Sequence, residues 1–302
     1  MAQDRLTRFA SRLKALSEFG EASGNSKPRW GLLPEQRDLL LEIIQPGHPK
    51  NPFQQSAQHR NYALILLYYE FGPRLAEPLT LRLVATSKKL SSVDLTGSYS
   101  RERGAPGNVP AIWFVKNHDD PDDPRIVQPT LKTEGRLLYF RKGSIALGAL
   151  VEWVNNHRND EARFPGGKRS PFLFISRKSF VNANGRIVAS PLSVKQATKI
   201  FERIQDTSPP LKDVTSHVLR HDWNDRWNEM LHERGERWED HKREQCYAMG
   251  WKLDSPMPGR YGRRSIQWQS NEQIMALQER TRATRSPKKE DIDNVLDDHI
   301  PY

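Results

Sequence analysis

Apolar residues recur every three or four positions near the start of the chain, which predicts an amphipathic helix over residues 4–19. The next segment, GEASGNSKPRWG, is rich in Gly, Ser, Asn and Pro and ends that helix. We therefore expect residues 1–30 to form an amino-terminal helix and linker. The main domain is predicted over residues 31–270.

The next two helices are predicted from their apolar spacing and from the residues at their ends. The segment LLPEQRDLLLEIIQ places Pro34 at the first helical position and Glu35 in the first turn, and Pro46 stops it. The segment QHRNYALILLYYEFG is apolar around most of its circumference, which is typical of a helix buried in a core. It ends at Gly72 and Pro73, so the residues that follow should be held rigidly.

Short runs of β-forming residues replace this pattern between residues 79 and 140. The runs AIWFVKN, RIVQPTLK and RLLYF are separated by clusters of Gly, Pro and Asp, which predicts a small antiparallel sheet. Two polar stretches, SSVDLTGSYSRERGAPGNVP and HDDPDDP, are predicted to be loops.

Helical spacing returns in the second half of the chain. SIALGALVEWVNNH is a predicted helix, FLFIS a short strand, and SPLSVKQATKIFERIQ a helix capped by Ser190 ahead of Pro191. A further helix begins near Thr215 or Ser216, and NEQIMALQER forms a short helix before an acidic tail, together over residues 271–302. The predicted fold class is α+β, mainly α-helical with a small antiparallel sheet.

Composition and charge limit the cellular compartment and the kind of binding partner that can be expected. No apolar run approaches the roughly 20 residues that span a bilayer, so the chain is predicted to be soluble, with no membrane partner. The single cysteine, Cys246, favours a reducing cytoplasm and argues against disulfides and redox chemistry. The net charge of +10 favours a phosphate-bearing partner such as a nucleic acid.

A group of basic residues marks one predicted helix start. His217, Arg220 and His221 are three and four residues apart, so they share one face near the positive end of the helix, which suits a phosphate anion. The same spacing also fits histidines that only cap and pack a helix. A zinc site is disfavoured here because the general base of an HExxH motif is absent and no third ligand stands out.

The order of several segments favours the phosphate interpretation. GPRLAE, LKT, SHVLRH and GW occur in this order, and a tyrosine follows ten residues after the Trp of GW. This ordered set resembles the tyrosine recombinase, or phage integrase, family, and the likeness spans residues 33–270. The resemblance implies the tyrosine recombinase catalytic-domain fold.

The resemblance also assigns candidate site residues. It implies six catalytic residues, Arg74, Lys132, His217, Arg220, Trp251 and Tyr261, with Glu77 and His221 in supporting roles. Tyr261 would be the nucleophile, and Lys132 would be the general acid that protonates the departing 5′ oxygen. Trp251 would donate its indole N–H to the phosphate.

The chemistry of strand cleavage needs these residue types. Two guanidinium groups can bind the non-bridging oxygens of a phosphodiester and stabilise the charge of its pentacoordinate transition state. A phenol, whose ordinary pKa is about 10, needs a nearby base and a positive field, which His217 and the arginines would supply. Because a phosphotyrosine bond keeps the energy of the broken diester, rejoining needs no ATP, metal or other cofactor.

Each assignment has a simpler alternative. Arg74 and Glu77 could be an ordinary i, i+3 ion pair on a helix, and Trp251 could be a core residue. Lys116, near the end of IWFVKN, offers a second hairpin lysine in place of Lys132. Tyr261 is one of eight tyrosines, although it lies in a Gly- and Pro-rich stretch followed by basic residues.

The predicted function is site-specific DNA recombination, with double-stranded DNA as the partner and a homotetramer assembled on it. Most members of the family carry a helical core-binding domain ahead of the catalytic one, whereas residues 1–30 are all that precede it here. We therefore expect either a fragment or a minimal member that works with an accessory protein. The alternatives are a type IB topoisomerase and a DNA-binding relative without catalysis.

Overall fold

The computed structural model describes residues 31–98, 108–115, 120–261 and 263–284. Within these ranges, side chains are described except at residues 260, 261, 263–269 and 281–284. The predicted helix over residues 4–19, the acidic tail beyond residue 284 and Lys116 lie outside the described residues. None of the described helices is both long enough and apolar enough to cross a bilayer.

Two helices open the described part of the chain, as the apolar spacing predicted. Helix α1 spans Pro34–Ile43 and helix α2 spans Gln55–Phe71. Most of the residues in the middle of α2 are buried, including Leu64 and Leu67, because α2 packs against helices on two sides. It ends at Gly72, whose φ of +56° is the left-handed conformation that favours glycine.

The predicted antiparallel sheet is confirmed, but one of its three strands was assigned wrongly. The strands are β1 Val93–Asp94, β2 Ala111–Phe114 and β3 Arg136–Tyr139, and β2 lies in the middle. The run RIVQPTLK is not a strand. Pro129 in that run has no N–H to give to a strand partner, and the side chain of Ile126 is fully exposed. The third strand comes instead from SSVDLTG, which was predicted to be a loop.

A helix and a hairpin form the middle of the chain. Helix α3 spans Ile145–Glu152 and continues into one turn of π-helix, Trp153–His157. The hairpin consists of β4 Ile175–Val181 and β5 Ile187–Pro191, of which only the start of β4 was predicted. Helix α4, Val194–Gln205, is capped by Ser193 rather than Ser190, because Ser190 and Pro191 belong to β5.

Four helices end the described part of the chain, and the first of them packs against α2. They are α5 Ser216–Glu233, α6 Lys242–Met249, α7 Met257–Tyr261 and α8 Arg263–Thr284. The predicted start of α5 is confirmed, since the Thr215 hydroxyl accepts a hydrogen bond from the Val218 amide. The short helix predicted in NEQIMALQER is part of the longer α8, which packs on α5 and α7.

Candidate active site

The turn after α2 carries the first two candidate residues, Arg74 and Glu77. A Cβ on Gly72 would lie 3.0 Å from both Met249 Cε and Trp223 Cβ, so the chain passes here between α5 and α6 with no room for a side chain. A 3-10 turn, Glu77–Thr80, then buries Glu77 completely. Arg74 stays partly exposed just before it.

The carboxylate of Glu77 is held by residues other than Arg74. One oxygen accepts a hydrogen bond from Thr133 Oγ1 at 2.6 Å, and the other is paired with Arg136 Nη2 at 2.6 Å. The interpretation of Arg74 and Glu77 as a simple ion pair is therefore wrong. Since Thr133 directly follows Lys132, Glu77 links the turn that bears Arg74 to the loop that bears the candidate lysine.

Arg136 is a residue of this region that the sequence reasoning missed. Its side chain is buried, donates from Nε to the Ala248 carbonyl at 2.7 Å, and lies over the ring of Phe114 at 4.5 Å. A Cβ on Gly250 would lie 2.6 Å from Arg136 Nη1, so the glycine leaves room for this guanidinium. The signal that could have found Arg136 is the alternation of side chains along β3. Arg136 and Leu138 are buried on one face of the strand, whereas Leu137 and Tyr139 are more exposed.

Arg220 and Trp251 lie together at the ends of two helices. Arg220 is almost completely buried, and it donates from Nη1 to the Gly72 carbonyl at 2.7 Å and from Nη2 to the Met249 carbonyl at 2.8 Å. These carbonyls stand at the negative carboxyl ends of α2 and α6, which favours a cation there. The guanidinium also lies 5.1 Å from the centre of the Trp251 ring. Trp251 thus has a packing role whatever else it does.

The two candidate histidines occupy the first turns of α5, as the spacing predicted. Their Nε2 atoms are 3.3 Å apart and their rings are nearly perpendicular. His217 is exposed, whereas His221 is half-buried.

Two adjoining clefts collect most of the candidate residues. The tryptophan cleft, of about 400 Å³, is lined by Arg74, Lys132, Trp251 and residues around them. The histidine cleft, of about 450 Å³, is lined by Arg74, Lys132, His217, Arg220 and uncharged neighbours, some apolar and some polar. Because both share Arg74 and Lys132, the two clefts bring together five predicted catalytic residues. Arg74 Nη1 is buried and has no hydrogen-bond partner in the part of the chain that the structure describes.

Tyr261 is the last residue of α7, and this helix packs against both α5 and α6. The structure describes only the backbone of Tyr261, so the position of its hydroxyl group stays a prediction. Among the tyrosines of α2, Tyr68 is completely buried, and burial raises the pKa of Tyr62, Tyr68 and Tyr69. Tyr68 in addition donates its hydroxyl to the Leu75 carbonyl at 2.7 Å.

Solved structures similar to this chain are tyrosine recombinases and integrases. A XerH site-specific recombinase, in a post-cleavage complex with palindromic difH substrate, has a TM-score of 0.52 and 16% sequence identity. The match covers 85% of this chain and 55% of that one, so this chain spans about half the length of the recombinase. A XerA recombinase has a TM-score of 0.41 and 16% identity over 78% of this chain and 59% of that one. A Tn1549 transposon integrase, in complex with circular intermediate DNA, has a TM-score of 0.44 and 16% sequence identity. That match covers 79% of this chain and 63% of the integrase.

The likeness to the XerH recombinase shows the fold. This chain has the fold of tyrosine recombinase catalytic domains, helix-rich with small antiparallel sheets, as predicted. No family model matches the sequence, and no curated protein matches it either.

Proposed function

We propose that this chain is a site-specific recombinase or integrase that cleaves and rejoins DNA strands through a 3′-phosphotyrosine formed by Tyr261. The observation that carries the proposal is the pair of clefts that share Arg74 and Lys132 and place His217, Arg220 and Trp251 around them. Double-stranded DNA is the substrate, in keeping with the fold and the positive charge of the chain.

The arrangement of the arginines supports a phosphate between the two clefts. Arg220 is fixed by two backbone carbonyls, so its guanidinium costs little to orient when substrate binds. The buried Nη1 of Arg74 is a charged donor that would gain a partner from a non-bridging phosphate oxygen. Together the two guanidinium groups would stabilise the negative charge that develops on the phosphate oxygens as the tyrosine oxygen attacks phosphorus.

The proton for the departing 5′ oxygen would come from Lys132, which is exposed on the loop between β2 and β3 and reaches both clefts. The exposed His217 also lines the histidine cleft and would accept the proton of the Tyr261 hydroxyl. The covalent intermediate keeps the diester energy, so the reverse steps rejoin a strand with no energy source.

The proposal is tested first with a nicked suicide substrate, from which the cleaved strand cannot return. We expect a covalent protein–DNA adduct on a denaturing gel, while a silent DNA-binding relative would give none. Recombinant junctions from two DNA duplexes would then separate a recombinase from a topoisomerase, which only relaxes supercoils.

The assignment of the general acid is tested by Lys132→Ala. Loss of a positioned acid should slow cleavage of normal DNA by about 10²- to 10⁴-fold. A 5′-bridging phosphorothioate replaces the leaving oxygen by sulfur, which needs no proton, so cleavage by Lys132→Ala should return to near the wild-type rate on this substrate. The matched control is Lys116→Ala. If sulfur rescues Lys116→Ala and not Lys132→Ala, the acid is Lys116.

Chelation of divalent metal tests the chemistry of the clefts as a whole. The cations that line the clefts, among them Arg74 and Lys132, supply positive charge themselves, and they outnumber the two carboxylates of the tryptophan cleft, Glu134 and Asp254. We therefore expect the rate of adduct formation in excess EDTA to equal the rate without it. A loss of adduct in EDTA that Mg²⁺ restores would contradict the mechanism.

Helix α8 is the candidate link between subunits on DNA. Ile274, Met275 and Leu277 are each about half exposed along it, although they are large and apolar. We expect Ile274→Asp with Leu277→Asp to leave cleavage of a single site intact and to abolish strand exchange between two sites.

Gln273→Asp with Ala276→Asp is the matched control, because it adds the same two charges to α8 and removes no large apolar side chain. The control should keep strand exchange. If the Ile274 and Leu277 double variant loses single-site cleavage or unfolds, this face of α8 belongs to its own domain.

A further inference from the structure

Two histidines and a glutamate come together far from the clefts. His59 lies in the second turn of α2, Glu152 is the last residue of α3, and His157 is the last residue of the π turn. One nitrogen or oxygen of each lies within 4.8 Å of those of the other two. With a rise of about 1.5 Å per residue, α2 separates His59 from Gly72 at the clefts by about 20 Å.

The π turn is what places His157 beside Glu152. These residues are five apart, and on an α-helix only residues three or four apart are neighbours on one face. The wider turn, closed by the hydrogen bond from the Arg158 amide to the Trp153 carbonyl at 2.8 Å, brings His157 Nε2 to 3.0 Å from Glu152 Oε1. The ring of His59 then stacks on that of His157, with centres 3.6 Å apart.

The backbone at each histidine is fixed by the arginine that follows it. Arg60 donates to the Ile175 carbonyl at 3.1 Å, and Arg158 donates to the carbonyls of Ser170 and Phe172, each at 2.6 Å. Both arginines are buried, and burial lowers the pKa of each to about 10. The two imidazoles are thus presented by backbone that is anchored independently of them, as a preorganised site requires.

We propose that His59, His157 and Glu152 bind a divalent metal ion of the zinc class, which joins α2 to the π turn. Two imidazole nitrogens and one carboxylate oxygen are a donor set that Zn²⁺ accepts, with water in its fourth position. The stacked rings of His59 and His157 are nearly parallel, so their nitrogens do not converge on one point. One imidazole must therefore rotate before both can bind the same ion, and this rotation weakens binding. We therefore expect a dissociation constant in the micromolar range.

The carboxylate of Glu152 is held in place beside the two imidazoles. Asn156 Nδ2 donates to one of its oxygens at 2.6 Å, and His157 Nε2 lies 3.0 Å from the other. Arg163 adds positive charge nearby, but it is itself paired with Asp160 at 3.1 Å.

The test is calorimetric titration of the chelator-stripped full chain with ZnCl₂. We expect one zinc ion per chain at this site, and a rise in Tm of about 5 °C or more at a zinc concentration of about 100 Kd. His59→Gln and His157→Gln should each weaken this binding at least about tenfold. His241→Gln is the matched control, because His241 also pairs with a glutamate, Glu236 at 2.9 Å, and should leave zinc binding unchanged.

The pair of His217 and His221 is the other place where zinc could bind, so His217→Gln is titrated as well. Binding that survives in His59→Gln and His157→Gln, or that is lost only in His217→Gln, overturns the proposal. So does a wild-type chain that takes up no zinc. Should either variant have a lower Tm in EDTA than the wild type, Glu152→Gln replaces it. Neither DNA nor cleavage is involved, so the outcome is independent of the proposed function.

Discussion

Replacement of Tyr261 by phenylalanine should abolish the covalent protein–DNA adduct and leave DNA affinity within about twofold of wild type. In the proposed mechanism the change removes the oxygen that forms the phosphotyrosine bond, and it leaves unchanged the arginines and Lys132 that line the two clefts. The adduct is measured on a denaturing gel with the suicide substrate, and the affinity by a gel-shift titration at fixed salt.

Tyr247→Phe is the matched control for this experiment. Tyr247 lies on α6, and its hydroxyl group is hydrogen-bonded to the backbone of Leu137, so its loss should leave adduct formation intact. An adduct formed by the Tyr261→Phe chain would mean that another tyrosine is the nucleophile. Peptide mapping of that adduct would then identify it.

Replacement of Arg136 by methionine should lower the free energy of unfolding by about 3–5 kcal/mol, because it leaves the buried charge of Glu77 without its partner. Methionine keeps much of the buried volume, so the loss reports the charge and its hydrogen bonds. Urea denaturation followed by circular dichroism measures the difference.

Two further variants make this prediction specific. Glu77→Leu with Arg136→Met removes both charges, so this double variant should be more stable than Arg136→Met alone. Arg237→Met should change stability by less than about 0.5 kcal/mol, since Arg237 is largely exposed and lies 3.7 Å from its partner Glu239. A loss below about 1 kcal/mol in Arg136→Met would show that Arg136 does not hold this region together.

Features that depend on neighbours along the chain could be predicted from the amino-acid sequence. The apolar spacing of α1 and α2, the glycine at the end of α2 and the threonine cap of α5 are local signals, so these helices were predicted with their ends close to the right residues. The ordered motifs also identified Arg74, Lys132, His217, Arg220 and Trp251, which line the two clefts.

Contacts between residues that are distant in the chain could not be predicted in this way. Glu77 and Arg136 are far apart in the chain, and their pairing depends on β3 lying behind the 3-10 turn. In the same way, β2 pairs on one side with Val93–Asp94 and not with RIVQPTLK. Pro129 in that run has no N–H to donate to a neighbouring strand. His59 and His157 meet through a π turn that no local pattern marks. Such contacts arise from the packing of whole elements, which a local pattern along the chain does not record.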